Sequence, residues 1–469
     1  MRFLHHINEE KEQLKDWQKY IKTDKMIYSA VKVLQKINSK GYEAYIVGGA
    51  IRDIILGTKI KDVDIATNCP LEVLSKLYKV YEIGKSKDFG LVIVKEGGFR
   101  FEVAQFRKDG KYKDGRRPES VQIVGSFKQD AARRDFTVNS MAIDKDGNII
   151  DYFDGRKAIR DKILKTVGDP KIRFGEDYTR MLRAARFSSK LDMDIDKDTK
   201  KAAQKLSKNI LNIPVEKVKM ELIKAASQSG NKFATYIKVL DNLKLLKYIL
   251  PEVMALKWFQ HNLTHHPEGN VFDHTIEALK HVGADEPIKM LAVLLHDIGK
   301  GVTFSEVGGM PKYLGHAKAG IEMVNAVADR LKMSNEERQA LLFAVGNHMK
   351  FHNLLKMKPS KIARLVTDKN WDVLVAVAKA DEFSRGTTFM YAGEFEKIVD
   401  KAIKIKEKYD TRTVEHRLKL VDGNYVIKIT NGKPGPKIGK IIRTVTEWIL
   451  DNDITDKKEI DKYIMRLAK

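Results

Sequence analysis

Two aspartates two positions apart, in KDVDIAT at 61–67, follow closely on YIVGGAIRDIILG at 45–57. On a β-strand alternate side chains share a face, so Asp62 and Asp64 present both carboxylates to one side. A third carboxylate, Glu102, lies in RFEVAQF, where Arg100, Glu102 and Ala104 alternate with Phe101 and Val103. Pairing of that strand beside DVDIAT brings three carboxylates together. Like charges this close repel unless a cation lies between them. Hard oxygen ligands left partly open suit Mg²⁺, with substrate phosphates completing its shell. A two-metal site of this kind activates an attacking oxygen and stabilises a leaving one in phosphoryl or nucleotidyl transfer. Gly48 and Gly49 turn into a helix whose free N–H groups suit a phosphate, and Arg52, one turn in, adds positive charge.

A helix starting near Glu176 carries Asp177, Arg180, Arg183 and Arg186 in steps of three, with Asp177 and Arg180 as neighbours. An acceptor-only carboxylate beside a donor-only guanidinium is an asymmetric template. Cytosine and adenine each offer an amino donor next to a ring-nitrogen acceptor, and both match it. Uracil and guanine present the reverse and leave buried polar groups unpaired, at about 1–3 kcal/mol each. The bland alternative is a surface helix with an acidic first turn and ordinary ion pairs.

Histidine is concentrated: nine of twelve fall between His261 and His352. His274 lies in NVFDHTIEAL, His296 and Asp297 adjoin after the apolar run LAVLL, His316 lies in GHAKAG, His348 in VGNHMKFH and Asp381 in VAVAKADEFSRG.

The elements that must position these residues follow from the pattern. At 469 residues the length suggests about three domains. Residues 1–38 read as a helical extension. From 39 to 168 short strands (EAYIVGG, DVDIAT, GLVIVKEGG, FRFEVAQF, SMAIDKDG, NIIDYFDG) alternate with turns and the helical stretches IRDIILG and PLEVLSKLY, an α+β head with a small mixed sheet. After Pro170 the strands stop: a helical neck spans 169–230, a helical body with the histidines 231–395, and a tail 396–469. Lys and Arg outnumber Asp and Glu by 86 to 63, a net charge of +23 that favours a polyanionic partner, nucleic acid first. Basic helices such as KLSKNILNIPVEKVKMELIK and the segment NGKPGPKIGK supply phosphate contacts that set affinity without reading sequence. Cys69 is the only cysteine, which excludes disulfides and thiolate zinc sites. No stretch is apolar enough to span a bilayer, so the expectation is a cytoplasmic protein without a membrane partner.

VGGAIRDIILG…KDVDIAT resembles the signature of polymerase-β-type nucleotidyltransferases, within the class II tRNA CCA-adding and bacterial poly(A) polymerase family. RRDFTVNS (133–140) resembles that family's ribose- and phosphate-contacting segment, GEDYTRMLRAARF (175–187) its base-selecting helix, and FRKDGKYKDGRRPESV (106–121) its flexible loop. The resemblance implies that Asp62 and Asp64 hold Mg²⁺, with Glu102 as third catalytic carboxylate. It implies that Gly48, Gly49, Arg52, Arg133, Arg134, Asp135, Asn139, Asp177, Arg180, Arg183 and Arg186 bind the nucleotide. The His…His-Asp…Asp arrangement resembles the metal-dependent HD phosphohydrolase fold. By that likeness His274, His296, Asp297 and Asp381 bind one divalent metal and His316 and His348 serve a second. Such imidazole and carboxylate sets suit Mn²⁺, Fe²⁺, Ni²⁺ or Co²⁺ better than Mg²⁺. HHPEGNVFDHT resembles the body of CCA-adding enzymes carrying such a domain, and NGKPGPKIGK their tRNA-binding tail. The expected activity is CCA addition to tRNA from CTP and ATP, with removal of cyclic or terminal phosphate at the HD centre. Ser140, where CCA-adding enzymes often have alanine, and EVAQF, where they often have two threonines, keep poly(A) polymerase and CC-only or A-only addition as alternatives. An RNA-binding HD phosphohydrolase whose head does no chemistry is the rival of another class.

Overall fold

The computed structural model describes residues 17–82, 90–110, 115, 120–260, 269–384, 392–408, 421–452, 454 and 456–468. Half of the 106–121 loop motif, and HHPEG up to Glu268, lie outside these residues. The chain forms two compact units, 1–225 with 235–249, and 226–234 with 250–469.

In the first unit a seven-stranded sheet is built from β1 (Ala44–Val47), β2 (Asp64–Thr67), β3 (Val80–Tyr81), β4 (Leu91–Glu96), β5 (Phe99–Gln105) and the short strands Ala142–Ile143 and Ile149–Ile150. Their spatial order is β3-β4-β5-β2-β1, then Ala142–Ile143 and Ile149–Ile150. Only β2 and β5 run parallel, so the sheet is mixed. The alternation expected in β5 is present: Phe101 and Val103 are buried while Arg100 and Glu102 are exposed. Gly97 and Gly98, both with positive φ, make the β4–β5 turn that glycine alone adopts without strain. The helix Lys25–Asn38 is no appendage. Asp24 caps it by accepting from the Met26 and Ile27 amides, and Ile27, Val31, Val33, Leu34 and Ile37 are fully buried, its contacts running to β1, β4 and β5.

Strands do not stop at Pro170. Ile163–Leu164 pairs in parallel with Asp194–Ile195, and Ser305–Val307 forms a hairpin with Met310–Lys312. Two- and three-residue strands carry too little alternation to stand out against flanking helices.

Among the described residues the second unit is helical apart from that hairpin. The helix Pro287–Leu295 is buried along Met290–Leu295, as its unbroken apolar run requires, and packs among Val271–Leu279, Asn335–Phe351 and Trp371–Ser384. Further along, Gly423–Thr430, Pro436–Asn452 and Lys457–Ala468 close on a small core of Val421, Val426, Ile438, Ile441, Val445, Ile449, Ile460 and Ile464. Among the described residues no helix is long and apolar enough to cross a membrane.

Candidate metal and nucleotide sites

The parallel pairing of β2 with β5 sets Asp64 directly opposite Glu102. Asp62 lies two residues before the strand, which begins at Asp64, so only one of the two aspartates is a strand residue. The three carboxylates nonetheless feel one another. Desolvation, then Asp62, then Glu102 push the Asp64 carboxyl up to about 6, against the opposing pull of Arg134. The part of that rise due to Asp62 and Glu102 is repulsion that a cation between the three carboxylates would relieve. Asp62, Asp64 and Glu102 are all exposed, so an ion could reach them from solvent.

Gly48, at φ 76°, precedes the helix Gly49–Ile55. A side chain at Gly48 would meet Arg134 Nη1 at 3.3 Å, and one at Gly49 would meet Arg52 Nη2 at 3.3 Å. Backbone and guanidinium groups therefore approach closely there. Arg52 is not a free cation. Its Nε and Nη2 donate to Asp53 Oδ1 at 2.8 and 2.7 Å, and its Nη1 donates to Asn139 Oδ1 at 2.6 Å, all buried. Asn139 Nδ2 in turn donates to Asp135 Oδ1 at 3.2 Å. Arg133 and Arg134 both pair with buried Asp130, at 2.8 and 3.1 Å. Arg134 Nη1 also reaches the Asn139 carbonyl at 3.3 Å.

The helix expected from Glu176 breaks in two. Pro170–Glu176 ends, Asp177 takes an extended conformation, and a new helix runs Thr179–Leu191. Asp177 accepts from the Thr179 amide at 2.9 Å, so the carboxylate caps the second helix from outside it. Arg180 does not pair with Asp177 through its side chain. Its Nη1 donates to Glu176 Oε2 at 2.5 Å and to the Arg173 carbonyl at 2.9 Å, and its Nη2 to the Arg133 carbonyl at 3.2 Å. Arg183 pairs with Asp135 at 2.5 Å and Arg186 with Glu221 at 2.6 Å. Burial alone would raise Asp135, but Arg183, Asn139 and the Phe136 amide outweigh it and hold the carboxyl at about 2. Phe187 lies under three of these cations, with Arg52, Arg183 and Arg186 at 5.4, 5.2 and 4.5 Å from its ring centre.

In the second unit His274, His296 and Asp381 form one buried group able to hold a metal, and Asp297, His316 and His348 form another. The ring orientations explain why. His296 Nδ1 lies 2.7 Å from the Val293 carbonyl, His316 Nδ1 2.9 Å from that of Tyr313, and His348 Nδ1 2.7 Å from that of Val345. A carbonyl can only accept, so Nδ1 carries the proton and each Nε2 presents a lone pair inward. His274 reaches the same state through Ser384, whose hydroxyl donates to the Asp381 carbonyl and accepts from Nδ1 at 3.2 Å. His316 Nε2 and His348 Nε2 then face each other at 3.0 Å with no proton between them, and His296 Nε2 is buried without a hydrogen-bond partner. Burial and the neighbouring His296 push His348 down to about 3, so it does not escape by protonating. Asp297 is held well below the usual carboxylate range: burial opposes this, but His296, Lys300 and His316 outweigh it. A ring of lone pairs and carboxylates with an orphaned buried nitrogen fits divalent cations.

Several participants were not singled out in the sequence. Glu176 and Glu221 hold Arg180 and Arg186, and Asp130 holds two arginines. Lys300 donates to Asp297 Oδ2 at 2.6 Å, and His352 lies 3.2 Å from Asp381 Oδ2. Helical spacing was the available clue for Asp297 with Lys300, Glu176 with Arg180, and Asp130 with Arg133 and Arg134, whereas Glu221 and His352 are remote in the chain from the groups they meet.

Residues 44–165 match the poly A polymerase head domain, residues 192–257 the "Probable RNA and SrmB- binding site of polymerase A", and residues 270–385 the HD domain. The CCA-adding enzyme of Geobacillus thermodenitrificans (strain NG80-2) is 46% identical over 196 residues, 42% of this chain and 48% of that one. That match spans about half the length of the relative. The CCA-adding enzyme of Staphylococcus haemolyticus (strain JCSC1435) is 28% identical over 448 residues, 93% of this chain and 97% of that one. The crystal structure of the Bacillus stearothermophilus CCA-adding enzyme in complex with CTP is similar with a TM-score of 0.70 at 25% identity, covering 94% of this chain and 97% of that one. A poly A polymerase head domain, an RNA-binding segment and an HD domain are thus matched in this order, and the chain is similar to CCA-adding enzymes along nearly its whole length.

Proposed function

We propose that the protein adds CCA to the 3′ end of tRNA from CTP and ATP. The observation that carries this reading is the parallel register that sets Asp64 against Glu102 with Asp62 alongside. Asp62 and Asp64 would hold Mg²⁺, which when bound would supply positive charge at the reacting phosphate and at the attacking hydroxyl. The chain's own part is placement. The amides at the Gly48–Gly49 turn and the Arg134 guanidinium receive the triphosphate. Arg52, pinned by Asp53 and Asn139, keeps the turn and the 133–140 segment in one arrangement. Asp177 and Arg180 read the amino donor and ring acceptor of cytosine or adenine, with Glu176 holding Arg180 in aim. Arg183 and Arg186, anchored by Asp135 and Glu221, support that pocket. The relatives named CCA-adding enzymes leave poly(A) synthesis the less favoured alternative. A cytoplasmic location accords with a tRNA substrate.

The two buried ligand groups favour a second activity at a separate centre, metal-dependent hydrolysis of phosphate esters, with Mn²⁺, Ni²⁺ or Co²⁺ suited to the nitrogen-rich set. The test of the first reading is incubation with tRNA lacking its 3′ end, supplied with CTP, ATP or both, and sequencing of the product. CCA is the expected addition, and none by the Asp62→Ala/Asp64→Ala variant. A long A tail, CC alone or A alone would replace CCA addition with a relative's reaction.

A further inference from the structure

One row of directly paired residues crosses four strands of the head sheet. Tyr81 on β3 stands opposite Ile93 on β4, Ile93 opposite Glu102 on β5, and Glu102 opposite Asp64 on β2. Directly paired residues share a face, so the face that carries the carboxylates continues past Glu102 to β3. Val92, Val94, Phe101 and Val103 are buried on the other face, where the helix Lys25–Asn38 packs. On the carboxylate face Lys95 stands opposite Arg100, and both are exposed. The Lys95 and Lys79 ammoniums lie 4.3 and 5.6 Å from the centre of the Tyr81 ring. Lys79, Lys95 and Arg100 have no carboxylate partner among the described residues. Lysines on an edge strand guard against pairing with another sheet, but Lys95 and Arg100 stand on inner strands and need another reason.

In-line displacement sets the attacking oxygen opposite the leaving one. Pyrophosphate leaves towards the Gly48–Gly49 turn, which follows β1, and β1 flanks β2 on the side away from β5. The attacking 3′ hydroxyl therefore arrives from the side of β5, β4 and β3. We propose that Tyr81, Lys79, Lys95 and Arg100 form the binding site for the penultimate nucleotide of the RNA, its base stacked on Tyr81 and its flanking phosphates held by the three cations. This rests on the nucleotidyl-transfer reading above and names the part of the RNA that this face takes. Two strand spacings, about 10 Å, separate Tyr81 from Glu102, which sets the ring one nucleotide behind a 3′ end at the carboxylates. An exposed cation–π contact is weaker than base–aromatic stacking, so a base displaces the ammoniums from the ring and they turn to phosphate. Stacking reads no base edge, which suits a site that must accept a new base after each addition.

The experiment uses the full chain with Mg²⁺, ATP and tRNA lacking only its 3′ adenosine, either intact or with an abasic penultimate nucleotide. Tyr81→Ala raises the KM for the intact RNA by about fivefold or more and leaves the KM for ATP unchanged, and Tyr81→Trp restores the parent value. The abasic RNA costs the parent the same factor and costs Tyr81→Ala nothing further, because ring and base belong to one contact. Lys95→Ala and Arg100→Ala each lower the slope of log Kd against log salt by about one. An unchanged KM for RNA overturns the site, as do losses from Tyr81→Ala and the abasic RNA that add. An equal rise in the KM for ATP also overturns it and makes Tyr81 a support of the sheet. A parent that adds no nucleotide overturns the nucleotidyl-transfer reading, while filter-binding Kd values of parent and Tyr81→Ala for the two RNAs still decide whether ring and base meet.

Discussion

At the scale of single residues the head is organised by partners that fix cations rather than by cations alone. Asp64 shows the consequence for its own chemistry. Its carboxyl lies at about 6 in the metal-free protein, so below that pH a proton must be displaced before a cation binds. Apparent Mg²⁺ affinity is therefore expected to hold above about pH 6 and to fall as pH drops through it, measured by calorimetry between about pH 7.5 and 5. Asp135 behaves oppositely. Held at about 2 by Arg183, it contributes stability that is complete above the unfolded value of about 4 and lost as pH falls towards 2. The Arg183→Met variant should be less stable than the parent at neutral pH, and the gap should close with acid. Urea midpoints at both ends of that range check the sign. Arg186 poses a starker case, since Glu221 is 1% exposed and loss of Arg186 leaves this buried carboxylate only the Lys224 ammonium at 3.9 Å. Arg186→Met is expected to destabilise the protein by about 3–5 kcal/mol.

At the scale of elements, function depends on where backbones touch. Gly299, in the turn after His296 and Asp297, has no room for a side chain: a Cβ would lie 2.0 Å from the His316 carbonyl and 2.7 Å from the Gly320 amide. That contact joins the His-Asp turn to the helix His316–Arg330, which carries the next ligand. Gly299→Ala must therefore push His316 away from Asp297, now 3.4 Å from it. We expect bound transition metal, read by elemental analysis after dialysis, to drop well below the parent's while nucleotide addition persists. A variant that retains metal would show that the turn yields. The broken helix at Asp177 has the same character. Its two pieces let one acidic side chain cap from outside while its neighbour Glu176 holds Arg180 from within.

At the scale of the whole molecule the proposed function places two chemistries in one chain, each within its own unit. Asp64→Asn is expected to abolish nucleotide addition and leave ester hydrolysis intact, and His296→Ala the reverse; assays of both reactions on both variants decide it. Net charge acts on the entire surface. Lys and Arg neutralise RNA phosphates and release counterions, so log affinity for tRNA should fall linearly with log salt. Filter binding between about 50 and 200 mM salt should show a loss of tenfold or more, shared by either active-site variant.

Local sequence determined much of this. The carboxylate triad was legible because strand alternation places Asp64 and Glu102 on predictable faces, and HDIGK was legible because adjacent ligand residues follow an apolar run. The mixed α+β head and the helical remainder follow from hydrophobic period, which is a property of neighbours. What only the tertiary structure decided is which partner each charge takes. Arg180 turned to Glu176 rather than Asp177, Arg186 found Glu221 thirty-five residues away, and Arg52 found Asn139 eighty-seven residues away. The facing lone pairs of His316 and His348 likewise arise only once two helices pack. Periodicity reports the face a residue occupies, but a buried ion pair is chosen by the packing that brings two faces together.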